Sequence, residues 1–135
     1  MSAGAARVIL APVSVGELID KITILEIKNE RISEPSARGN VQRELEALRA
    51  LRDRESLPAA VLEIADALSE ANRQLWDIEN ALRHLEREGC FDADFIALAR
   101  QVYAVNDRRA ALKRQVNALS NSAIVEEKHY RSDSH

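Results

Sequence analysis

Two apolar seams of matched length constrain this chain more than any other feature. Leu57, Val61, Ile64, Leu68, Ala71, Leu75, Ile78, Leu82 and Leu85 recur at alternating spacings of four and three, and so do Phe91, Phe95, Leu98, Val102, Val105, Arg109, Leu112, Val116 and Leu119. That alternation is a single stripe of an α-helix, so each seam predicts a helix with an apolar edge about 42 Å long. Between them, Gly89 stands where a C′ glycine ends a helix, Asp92 can cap the next one, and Phe91 with Ile96 forms a hydrophobic staple. So short a link leaves only an antiparallel hairpin, with helices at about 57–88 and 92–119.

Folding at that link sets Leu85 opposite Phe91, Ile78 opposite Leu98 and Leu57 opposite Leu119. Leu68 meets Arg109, the one rung with a charged member. A guanidinium buried there alone would be strongly destabilising, so it must pair with an acid, reach past the seam or bind an anion. Glu26 and Asn29, on or beside the apolar stripe of the first helix, are the expected neighbours. If Arg109 only fixes the register, leucine in its place should leave stability equal or better; if it holds an anion, the same change should abolish anion-dependent stabilisation.

Upstream, the run SVGELIDKITILEIKNERI opens with a complete helix start. Ser14 caps the first amides, Glu17 reaches back to it, and Val13 with Leu18 is the staple, which predicts a helix over about 15–32. Val15, Leu18, Ile22 and Leu25 form one stripe, with Ile19 at its edge, while Ile24 and Ile27 project on the far side. Those two isoleucines are covered by the chain's own short helix or tail, by a subunit interface, or by a ligand in a groove. A homodimer through this helix is the expectation they motivate. SEPSARGN reads as a loop from Pro35, Gly39 and its serines, and Asn40 then caps a short helix over about 40–54 with Val41, Leu45, Leu48 and Leu51 on its apolar face. The fold class expected is all-α, an antiparallel helical bundle in one domain over 1–135, with flexible ends at about 1–7 and 131–135. In the tail, Ile124 and Val125 are an apolar pair suited to docking.

Composition agrees and excludes several classes. Residues are 46% hydrophobic and 30% charged but only 4% aromatic, which suits a helical bundle better than a sandwich. A net charge of −3 gives no general attraction to nucleic acid, and no apolar run approaches the roughly 20 residues of a membrane span. With one cysteine, Cys90, there is no intrachain disulfide and no cysteine-based zinc cluster, and His84, His129 and His135 lack metal-ligand spacing. The expectation is a cytoplasmic protein with no metal and no cofactor. Glu17 with Asp20, and Glu63 with Asp66, show the ExxD spacing of helical nucleotide pyrophosphatases, a pairing that solvated helices also show constantly.

Two polar stripes flank the seams. Asn72, Trp76, Glu79 and Arg83 line one side of the third helix, and Tyr103, Asn106, Ala110, Lys113 and Asn117 line one side of the fourth. Together with Arg109 they suggest a shared cleft, and the candidate ligand-binding residues are Arg109, Lys113, Tyr103, Asn106, Glu26, Trp76 and Glu79. Glu79 with Arg83 is also an ordinary i,i+4 pair, and a tryptophan at a seam edge is ordinary packing.

Four stretches, SVGELIDKITILEIKNERI at 14–32, LWDIEN at 75–80, VYAVNDRRAALKR at 102–114 and IVEEKHY at 124–130, resemble an uncharacterised bacterial family of short helical proteins known only as a domain of unknown function. The resemblance implies an association with glycan or lipopolysaccharide synthesis genes, as for a similar helical family found beside glycosyltransferases, and it directs attention to polar positions such as Glu17, Asp20, Asp107, Glu127 and Lys128. It carries over no catalytic residue. Two functions follow as expectations. One is a non-enzymatic interaction or accessory protein of envelope glycan synthesis, acting on a protein partner; the other is a small-molecule enzyme or binder with an anionic-ligand site between helices. A closed, dry seam around Arg109 would favour the first and an open polar cavity the second.

Overall fold

The computed structural model describes residues 4 and 6–128; the ends beyond them, including His129, Tyr130 and the expected flexible segment 131–135, lie outside the described residues. Four helices make up the described fold: α1 (Val15–Arg31), α2 (Pro35–Arg54), α3 (Ala59–Glu88) and α4 (Ala93–Leu119). Each boundary has a local cause. Ser14 Oγ accepts from the Glu17 amide at the start of α1, and Asp92 accepts from the Asp94 amide at the start of α4. Gly89, left-handed at φ 68°, ends α3 by donating its amide back to the last turn, a backbone shape that a glycine adopts without strain.

The second helix begins earlier than expected. Residues 35–40 are helical, not a loop, because Pro35 occupies the first turn, where its missing N–H costs nothing, and Glu34 caps the Ser36 and Ala37 amides with its carboxylate. Gly39 is carried inside the helix.

The packing is layered, with α1 in the middle. Among the described helices α2 contacts only α1, while α1 also lies along both α3 and α4, which pair with each other as the hairpin. Leu18, Ile22 and Leu25 pack against Leu45 with Val41 and Leu48 of α2. On the opposite side Ile19 joins Val61, Leu68 and Val116 of the hairpin, with Val15, Leu57, Ile64 and Leu112 around them. A helix enclosed between layers needs apolar residues around most of its circumference. This corrects the expectation for the far-side isoleucines: Ile27 is 1% exposed within the single chain and Ile24 is half-buried, so no open α1 patch is left to motivate a dimer through that face.

The hairpin runs on past α1, whose last residue, Arg31, bonds Asp77 of α3 at 2.7 Å. At the tip, Phe91 and Phe95 meet edge to face with centroids 5.2 Å apart. No described helix is long and apolar enough to cross a membrane.

Candidate functional site

The crossing of α1 on α4 is set by one glycine. A Cβ at Gly16 would lie 2.5 Å from the Lys113 carbonyl oxygen and 2.9 Å from Asn117 Oδ1, so the two backbones meet closer than any other residue would permit. The Gly16 amide donates to Asn117 Oδ1 at 2.7 Å, and the Val15 amide donates to Ser122 Oγ at 3.2 Å. Orphan amides of the first turn of α1 thus find acceptors on α4 and the chain after it.

One and two turns further along α1, Asp20 and Thr23 face the hairpin in a polar pocket of the core. Asp20 is fully buried. It takes a fork from Arg109, Nε at 2.9 Å to Oδ1 and Nη2 at 2.5 Å to Oδ2, and a further bond from Asn72 Nδ2 at 2.9 Å. The same Asn72 amide donates to Thr23 Oγ1 at 2.8 Å, and the Thr23 hydroxyl donates to the Asp20 carbonyl at 2.7 Å. The hydrogen bonds to Asp20 raise the Arg109 pKa against the opposing effect of burial, with the field of Asp20 and Glu17 adding to them, so the guanidinium is held charged. One turn along α4, Lys113 Nζ meets Glu17 Oε2 at 2.5 Å.

After α4 the chain returns along that helix and docks through polar residues, while Ile124 and Val125, the apolar pair suited to docking, stay 39% and 50% exposed. Glu126 accepts from the Ser14 hydroxyl and from Asn117 Nδ2, tying the returning segment to the start of α1. Burial pushes the Glu126 carboxyl up, but the bonds from Ser14, from its own amide and from Asn117, with the charge of Lys113, outweigh it and hold the pKa below the ordinary 4.5. The sign follows: a carboxylate with a depressed folded pKa stabilises the fold fully above its unfolded value and loses that contribution as pH falls through the folded one. Unfolding curves should therefore weaken below about pH 4.5, and Glu126→Gln should flatten part of that acid loss; an unchanged acid slope in the variant would contradict this role.

Two more pairs hold the returning segment off α4, Arg114 with Glu127 at 3.2 Å and Lys128 with Asp107 at 2.5 Å. Between segment and helix lies an open cleft of about 840 Å³. Val102 and Ala110 give it an apolar floor, Tyr103 stands 72% exposed at its rim, and Asn106, Arg109 and Lys113 present polar groups into it. Arg109 is therefore neither sealed in the seam nor free in solvent: its side chain is 28% exposed and lines the cleft, while its Nε and Nη2 edge grips Asp20.

Of the residues expected in a site, Arg109, Lys113, Tyr103 and Asn106 come together here. The other three do not. Glu26 faces Arg49 of α2 at 3.7 Å, Trp76 lies under the Arg31 guanidinium at 5.8 Å, and Glu79 makes the i,i+4 pair with Arg83. Nor do Glu26 and Asn29 meet Arg109. Its partner is Asp20, and Asn29 Oδ1 is buried with no hydrogen-bond partner among the described residues. The readable signal for Asp20 was its place with Gly16, Thr23 and Ile27 on one stripe of α1, a stripe that mixes small, polar and apolar residues and therefore looks solvated. No three His, Cys, Asp or Glu side chains among the described residues are grouped to hold a metal ion.

By its described residues this is an all-α protein, a layered bundle of four helices. Within that class the chain belongs to a family of unknown function, DUF6165, whose profile matches residues 9–134. Comparisons with curated proteins and with solved structures give no match.

Proposed function

We propose that this is a binding protein whose recognition site is the cleft between α4 and the returning segment 126–128. The supporting observation is that Arg109 and Lys113 enter that cleft already fixed from behind by Asp20 and Glu17. A cation held in one geometry before a ligand arrives loses little side-chain freedom on binding, which is how a small site gains affinity. A closed, dry seam around Arg109 would favour a purely structural role, whereas here an open cleft with an apolar floor and an exposed tyrosine adjoins it. The setting proposed, from the resemblance of the four sequence stretches, is an accessory role in bacterial envelope glycan synthesis in the cytoplasm.

Untargeted mass spectrometry on protein purified under mild conditions tests the reading. The wild type should carry a small molecule that a cleft variant, Tyr103→Ala with Lys113→Met, loses while keeping its helical spectrum. A wild type carrying nothing that the variant lacks would count against it.

A further inference from the structure

Resting on the reading of the cleft as a binding site, we infer that its ligand is a small molecule with a single carboxylate at one end and an apolar, ring-sized body at the other. The head group follows from how Arg109 is used. Asp20 occupies the Nε and Nη2 side of the guanidinium, and Nη1 has no hydrogen bond among the described residues, so the Nη1/Nη2 end is left to donate a second fork. That end is a planar pair of donors, the complement of a carboxylate, and Lys113 stands one turn along with two of its three protons not used by Glu17.

The number of charges follows from the walls. Four cationic side chains line the cleft against three acids, and Asp20 and Glu17 stand directly behind the two inner cations. The local field is close to neutral. With four positive and five negative groups the site has no positive surplus, so one negative charge, met by the Arg109 fork and Lys113, is as much as it takes, whereas a diphosphate or a polyanion would bring extra charge against the acids without new partners. The body follows from the rest of the surface. Val102, Ala110 and the exposed face of Tyr103 are apolar, and Val102 lies two turns before Arg109 on the same side of α4, about 10.5 Å along the axis, the reach of a short chain ending in a ring.

Phenylbutyrate, its neutral amide phenylbutyramide, and pyrophosphate are the probes, added to isotope-labelled full-length protein and followed by amide chemical shifts. Phenylbutyrate should move the amides of residues 102–114 saturably, and the amide and pyrophosphate should bind about tenfold more weakly or worse, because each lacks a charged fork or adds an unpaired charge. Arg109→Lys keeps a cation facing Asp20 and removes the fork; it should weaken phenylbutyrate about tenfold and leave the amide unchanged. Lys113→Met, which leaves Asp20 and Arg109 intact, should weaken phenylbutyrate as well. Amide binding equal to acid binding, tighter pyrophosphate, or insensitivity to both variants would overturn the carboxylate assignment while leaving the cleft a binding site. Failure of all three probes to move residues 102–114 would overturn it too, and the ligand search by mass spectrometry would then decide separately whether the cleft binds a small molecule at all.

Discussion

Replacing Arg109 alone by leucine should lower the stability of the protein by about 3–5 kcal/mol, because it strands the fully buried Asp20 carboxylate without its cation. The seam pattern by itself points to a neutral or better outcome for the same change, and the reversal comes from the partner. A register arginine that reaches out to solvent can be exchanged for an apolar residue; one that neutralises a buried acid cannot be removed by itself. Replacing both members, Asp20→Leu with Arg109→Leu, should recover most of the loss, since a buried pair exchanged whole for apolar groups is often neutral or favourable. Chemical denaturation of the two single variants and the double gives the coupling directly, and a double variant no more stable than Arg109→Leu would refute the pairing argument.

Gly16→Ala should be nearly as damaging, with a loss of about 3 kcal/mol and a fall in Tm of roughly 10 °C. The added methyl would sit 2.5 Å from the Lys113 carbonyl oxygen, and that atom belongs to the backbone of α4, so no rotamer change relieves the contact. α1 must move away from α4, and in moving it loses the amide bond to Asn117 and loosens the Ser14 contact with Glu126. Gly39→Ala is the control: its nearest neighbour would be the flexible Arg43 side chain at 3.6 Å, and alanine favours the helix, so stability should hold or rise. Equal melting temperatures for wild type and Gly16→Ala would show that the close crossing is absent in solution.

The hairpin was legible because its signals are local and repeated: two heptad seams, Gly89 to stop one helix and Asp92 to start the next. Arg109 was legible for the same reason, as the one charged rung. Its partner was not. Glu26 lies six residues beyond Asp20, about 120° away around the helix, and only the rotation of α1 between its neighbours decides which acid faces inward. That rotation is fixed by packing on two sides at once, Leu45 from α2 and Val61 with Val116 from the hairpin, which no single helix encodes. Ile27 belongs to the same case: its apolar character was plain, but what covers it depends on where three other helices lie. Pro35 failed for a different reason. Proline marks either a loop or a first helical turn, and the choice rests on Glu34, whose carboxylate caps two amides in a role more often filled by Asp, Ser or Asn.

The layering has a last consequence, for how the molecule comes apart. Because α2 rests, among the described helices, on α1 alone, it can leave as a unit and expose only the seam of Leu18, Ile22 and Leu25, while α1 keeps its grip on the hairpin. The chain then has two free energies of opening instead of one. Amide hydrogens of α2 exchange by the smaller, those of α3 and α4 by the larger, and of the four helices a protease acting on the native protein would cut within residues 35–54 first.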